Sequence, residues 1–209
     1  MPRSSRANPL ALAVLACLYE RPMHPYEVAQ TLKMRAKHES IKLNYGSLYS
    51  VVDGLEARGL IAVRETVREG RRPERTIYEI TDAGKREATD WLSDLLSTPV
   101  KEFPQFEAAL SFLPVLPPDE AVTRLEERCF VLEVELTRMR AVRSATAEAG
   151  LPRLFELEAE YDQALREAEL EFCRRLVKDI ETEQLDGLEM WRQFSIDGGE
   201  SIAGEFPTS

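Results

Sequence analysis

Asn44-Tyr45-Gly46-Ser47-Leu48-Tyr49, running on to Leu55-Glu56-Ala57-Arg58-Gly59-Leu60-Ile61, is the stretch on which the fold turns. Leu48, Val51, Val52 and Leu55 recur at steps of three, one and three residues, which marks one face of a helix beginning around residues 44–47. Gly59 suits the left-handed residue that stops a helix. Beyond it the period shortens to two: residues 60–67 are rich in branched side chains, and in 76–80 Tyr78 and Ile80 share one face. These two runs are predicted strands of a hairpin. Their connection, Arg68-Glu69-Gly70-Arg71-Arg72-Pro73-Glu74-Arg75, is polar and holds the Gly and Pro of a loop.

Toward the N-terminus, Asn8 and Pro9 open a first helix in the favourable order of cap and first-turn proline, and it ends near Glu20. Arg21-Pro22-Met23-His24-Pro25 breaks the helical pattern, because two prolines so close cannot continue it. A second helix follows from about Pro25 to Ala36, with Tyr26, Val28, Ala29 and Leu32 on one face, and a polar turn over residues 37–43 leads to the third. Three helices and then a two-stranded hairpin describe a winged helix-turn-helix, in which the third helix enters the DNA major groove and the hairpin tip reaches an adjacent groove or backbone.

Toward the C-terminus, Thr81 or Asp82 caps a fourth helix carrying Ala88, Trp91, Leu92, Leu95 and Leu96 before Pro99. A linker and a short helix over residues 105–113 precede a long helix from Asp119 to near Gly150, with Leu125, Cys129, Leu132, Leu136 and Met139 at alternating steps of four and three. Another, from Pro152 to about Glu183, repeats the spacing with Leu154, Leu157, Tyr161, Leu165, Ala168, Phe172, Leu176 and Ile180. Both are expected to be packed seams of coiled-coil type. Leu188, Trp191 and Phe194 suit a last helix, and the glycine-containing tail from Asp197 is expected to be disordered. The expected fold is therefore mainly α: a winged helix-turn-helix domain over 1–98, a helical domain of long antiparallel or coiled-coil-like helices over 99–196, and a tail over 197–209.

The net charge of −10 argues against a polyanion partner until the chain is divided. Residues 1–86 hold 15 Lys or Arg against 10 Asp or Glu, whereas 87–209 hold 12 against 27. The +5 half is the candidate reader, and the acidic surface of the long helices does not cancel it beyond a Debye length of roughly 8 Å.

Cys17, Cys129 and Cys173 are odd in number and each sits in an apolar helical pattern, as in a reducing compartment. No apolar run reaches the roughly 18–20 residues that cross a bilayer. Arg3 and Arg6 ahead of the apolar run from Leu10 to Leu18 imitate a secretory signal, and Val14-Leu15-Ala16-Cys17 approximates a lipoprotein box. Removing that run takes the first helix from the winged fold, so a cytoplasmic location is expected.

Enzymatic readings lack their parts. His24 and His38 are 14 residues apart, no Cys-x-x-Cys or His-Glu-x-x-His occurs, and there is no glycine-rich phosphate loop. No catalytic residue, metal or cofactor is expected.

Asn44-Tyr45-Gly46-Ser47-Leu48-Tyr49 with its exit through Gly59-Leu60-Ile61 resembles the recognition helix of the PadR family of transcriptional regulators. Arg71-Arg72-Pro73 with Tyr78-Glu79-Ile80-Thr81-Asp82-Ala83-Gly84 is similar to that family's wing and following helix start, and His24-Pro25-Tyr26-Glu27 to its entry into the second helix. Pro25 stands where the family commonly has Gly, and Ser50 where it commonly has Pro. Position in the fold then nominates Lys42, Tyr45, Ser47, Tyr49, Arg68, Arg71, Arg72 and Arg75 as DNA contacts, with packing against the first helix the competing reading for Tyr49.

The resemblance implies a homodimer formed by the C-terminal helices, and the two apolar seams, which offer more surface than a single helix pair can cover, nominate Leu125, Leu132, Leu136, Met139, Leu157, Tyr161, Leu165, Phe172 and Leu176 for the interface. It further implies repression from an inverted-repeat operator in duplex DNA and release by a small aromatic effector. Trp91, Phe103, Phe106 and Phe112 are the candidate effector pocket, with core packing the competing explanation. The alternative function is a winged-helix module that binds an acidic protein and reads no operator.

Overall fold

The computed structural model describes residues 8–37, 40–67 and 75–197. The elements are α1 (Pro9–Glu20), α2 (Pro25–Met34), α3 (Tyr45–Ala57), β1 (Ile61–Val67), β2 (Arg75–Ile80), α4 (Asp82–Ser97), α5 (Gln105–Ser111), α6 (Pro118–Glu148), α7 (Leu157–Glu181) and α8 (Leu188–Asp197). They gather into two compact units, Met1–Lys101 and Glu102–Ser209. The expected tail after Asp197 lies outside the described residues.

In the first unit, α1 is the hydrophobic centre. Leu10, Val14, Leu15, Cys17 and Leu18 are buried, so the run that imitates a signal sequence is the core helix. Asn8 begins it, its side-chain oxygen accepting from the Leu10 N–H at 3.1 Å with Pro9 at the first position. Helix α2 starts reciprocally: the Tyr26 N–H donates to His24 Nδ1 at 3.0 Å, and the His24 N–H donates to the Glu27 carboxylate at 2.9 Å. It ends two residues earlier than the sequence suggests, because Ala36 turns left-handed at φ 55° and the Lys37 N–H closes onto the Leu32 carbonyl at 2.9 Å.

Strands β1 and β2 pair antiparallel, Ile61 opposite Ile80 and Val63 opposite Tyr78, with a bulge between Val63 and Glu65. The segment between α1 and α2 joins them. Met23 and Tyr78 exchange two backbone hydrogen bonds, each 3.0 Å, so buried peptide groups that two prolines exclude from a helix find partners on β2. Helix α4 is then set hard against the exit of α3. Thr81 caps it through the Gly84 N–H at 3.1 Å, and a Cβ at Gly84 would stand 2.0 Å from the Leu60 carbonyl oxygen.

In the second unit α6 and α7 run antiparallel, since Glu135 meets Arg166 while Arg143, farther along α6, meets Gln163, farther back on α7. The α6 face of Leu125, Cys129, Leu132 and Leu136 is buried as the spacing suggests. On α7 the expected seam is corrected. Leu154, ahead of the helix, and Tyr161 and Leu165 on it are 70%, 67% and 51% exposed, and the face packed into the core is Leu170, Cys173 and Val177 together with Leu176 and Ile180, the two members of the expected seam that do pack. At 100° per residue the two stripes lie about 140° apart around α7. Both have helical spacing, and periodicity alone does not say which one meets α6. Trp191 of α8 closes the unit, its indole N–H donating to the Leu116 carbonyl at 2.7 Å.

Candidate nucleic-acid interface

Helix α3 shows one face to the core and its N-terminal turn to solvent. Leu48, Val52 and Leu55 are buried, whereas Tyr45, Gly46, Ser47 and Tyr49 are exposed, as is Lys42 ahead of them. Asn44 fixes that turn by accepting from the Ser47 N–H at 2.7 Å. No acidic residue lies in the first turn, so the positive end of the helix dipole is left for an external anion. Tyr49 is 44% exposed, which leaves its ring available at the surface.

Tyr45 is also braced from α2. Its ring stacks on that of Tyr26 with centroids 6.1 Å apart and planes 15° from parallel, and Lys33 Nζ stands 5.0 Å from the Tyr45 ring centre. Tyr26 and Lys33 were not candidates in the sequence. Tyr26 fits the apolar face of α2 there, yet it is 46% exposed and spends its ring on the recognition helix. The His-Pro-Tyr-Glu start of α2, which aims this side chain across to α3, is the sequence signal for it.

The base of the wing is tied to the same helix. Burial first, then the charges of Glu56 and Asp53 on α3, hold the Tyr78 phenol above its ordinary value. Arg75, the first residue of β2, is exposed. Its charge, after burial, holds the His24 imidazole below its usual range against the opposing pull of Glu27. Arg68, Arg71 and Arg72 lie outside the described residues, as does His38.

The remaining candidates fall apart into different roles. Trp91, 2% exposed, belongs to the core of the first unit. Phe103 and Phe112 are exposed on the second unit, and Phe106 packs edge-on against Phe172 with centroids 6.4 Å apart beneath the Arg128 guanidinium at 3.9 Å. The four aromatics do not form one cluster within either unit. Of the residues nominated for an interface, Leu125, Leu132 and Leu136 are covered within the chain, Met139 and Leu176 are half-buried, and Leu157, Tyr161, Leu165 and Phe172 are exposed. Among the described residues no group of His, Cys, Asp and Glu is placed to hold a metal ion, and no helix is long and apolar enough to cross a membrane.

Residues 14–90 match the transcriptional regulator PadR-like family. No curated protein sequence matches the chain. Its fold is similar to that of Bacillus subtilis PadR in complex with operator DNA, at 18% identity over 83% of this chain and 99% of that one, with a TM-score of 0.68. The same Bacillus subtilis protein in complex with p-coumaric acid aligns at 17% identity over 82% and 98%, also with a TM-score of 0.68. The Vibrio cholerae virulence activator AphA aligns at 17% identity over 83% and 99%, with a TM-score of 0.64.

Proposed function

We propose, from the premise that the chain belongs to the PadR-like family of DNA-binding transcriptional regulators through its residues 14–90, that it is a homodimeric repressor acting on an inverted-repeat operator and released by a small aromatic effector. The observation that carries the DNA reading is the first turn of α3: capped by Asn44, free of acid, exposed, and braced by Tyr26. A phosphate placed there meets backbone N–H groups and the helix dipole together. Ser47, Tyr45 and Tyr49 are then positioned over base edges or neighbouring phosphates, with Lys42, Arg68, Arg71, Arg72 and Arg75 neutralising the backbone.

Dimerisation rests on the second apolar stripe of α7. Leu157, Tyr161, Leu165 and Phe172 are exposed at helical spacing, about 140° around the helix from the stripe that already satisfies α6. A two-fold pair presents its recognition helices to half-sites about one helical turn, roughly 34 Å, apart. Release by an aromatic compound is supported by the similarity to a protein seen with p-coumaric acid, and Phe103, Phe106 and Phe112 on the second unit are the residues we nominate. Repression is the sign that the family resemblance favours.

Selection of bound sequences from random duplexes tests the reading. A palindromic consensus is expected. No enrichment at low salt overturns operator recognition and favours the protein-binding alternative.

A further inference from the structure

Cys129 on α6 and Cys173 on α7 both lie in the core between the two helices of the second unit. Their exposures are 9% and 0%, and both belong to the one buried core that α6 and α7 share. Ion pairs around them fix the same register independently: Arg128 Nε lies 2.5 Å from Glu169, Arg174 lies 2.6 Å from Glu133, and Arg166 lies 3.0 Å from Glu135. Each cysteine is thus next in sequence to an arginine anchored on the opposite helix, which resists sliding of one helix past the other. Cys17, the third thiol, is buried in the core of the first unit.

We propose that Cys129 and Cys173 form a reversible dithiol–disulfide couple that locks α6 to α7 when the protein meets a peroxide. In the first step the Cys129 sulfur attacks hydrogen peroxide, the O–O bond breaks, and a sulfenic acid and one water result. In the second the Cys173 sulfur attacks the sulfenic sulfur, the S–O bond breaks, the S–S bond forms, and a second water leaves with the two thiol protons accounted for. The thiols give up two electrons and the peroxide takes both.

The order follows from access and charge. Cys129 keeps a small exposed surface, and the Arg174 charge partly offsets the burial that pushes its thiol up. Cys173 is enclosed, and burial, with the Cys129 and Glu169 charges, pushes it up to about 11, so it serves as the resolving thiol. Closing the bond to about 2.05 Å takes side-chain rotation and a small approach of the helices. Reaction therefore waits on local opening of the seam and is slow.

The test is peptide mapping of the full-length protein after hydrogen peroxide treatment and alkylation of the remaining thiols in denaturant. The expected result is a Cys129–Cys173 linked peptide within one chain, a fully alkylated Cys17, and reversal by dithiothreitol. Recovery of both Cys129 and Cys173 in alkylated form overturns the proposal, and so does linkage of either to Cys17 or to a second chain. In Cys173→Ala a sulfenic-acid trap such as dimedone should label Cys129, whereas Cys129→Ala should leave Cys173 unlabelled; equal labelling overturns the assigned order. Oxidation should also raise the urea midpoint of the wild type and leave that of Cys173→Ala unmoved, a response that mere packing of two small side chains does not give.

Discussion

The ring of Tyr45, the first residue of the recognition helix, lies 6.1 Å from that of Tyr26 in the first turn of the preceding helix, with 15° between their planes. The entry of α3 is therefore held by a side chain from α2. Tyr26→Ala should remove about 1 kcal/mol of aromatic packing and weaken duplex binding about five-fold, whereas Tyr26→Phe should bind as the wild type does. Fluorescence anisotropy at fixed salt measures both. Unchanged affinity in Tyr26→Ala would show that the stack is a passenger.

Gly46 and Gly84 separate binding from folding. A Cβ at Gly46 meets nothing closer than the Asn44 side chain at 3.7 Å, so the fold itself tolerates alanine there. Gly46→Ala should raise stability by about 0.5–1 kcal/mol through helix propensity, yet lower duplex affinity about ten-fold, because in the proposed complex the added methyl stands where a phosphate approaches the helix end. Urea unfolding and anisotropy on the same variant check the two signs.

Gly84→Ala should do the reverse. The new Cβ would lie 2.0 Å from the Leu60 carbonyl oxygen and 2.8 Å from Ile80 Cγ1, so α4 must move away from the end of α3. A loss of about 2–4 kcal/mol is expected by thermal or urea unfolding. A Tm within a degree of wild type would contradict the close approach.

His24 makes stability fall in mild acid. Its Nδ1 accepts the Tyr26 N–H and so must be unprotonated, and its value in the fold is held below the ordinary 6.5 by burial and Arg75. Below the unfolded value the unfolded chain binds more protons, so this contribution is complete above 6.5 and is lost as pH falls through the lower folded value. His24→Asn keeps an acceptor at the cap without titrating. Its urea midpoint should drop less than that of the wild type between about pH 7.5 and 5.5.

Each wing arginine should count as one released counterion. Arg71→Ala and Arg72→Ala should each flatten the slope of log affinity against log salt by about one unit, and should weaken all duplex sequences alike. Titrations at several salt concentrations read this directly, and an unchanged slope in both variants removes them from the interface.

The winged helix-turn-helix was legible because its signals are local. Leu48, Val52 and Leu55 declare the buried face of α3, and Asn8-Pro9 and Thr81 declare helix starts, each within one turn of chain. What escaped depends on elements far apart in sequence. Met23 pairs with Tyr78, Tyr26 stacks on Tyr45, and Trp191 caps the Leu116 carbonyl, and no periodicity encodes such partners. The α7 seam was legible only at Leu176 and Ile180, and the rest escaped for another reason: two stripes competed, and the one with the larger side chains, Tyr161, Leu165 and Phe172, is the more exposed of the two. The aromatic candidates divided similarly, Trp91 serving a core and Phe106 packing beside an arginine.

If a second copy covers that second stripe, the amount of protein becomes a variable of its folding. A helix with one apolar side finishes its burial within its own chain, but α7 leaves Leu157, Tyr161 and Leu165 in water until another surface arrives. If a second copy supplies it, unfolding midpoints should climb with protein concentration, as mass action requires of any partner that binds only the folded form. In the proposed dimer, dilution would act on the regulator twice, emptying the operator and loosening the very helices that hold two readers at the spacing an inverted repeat demands.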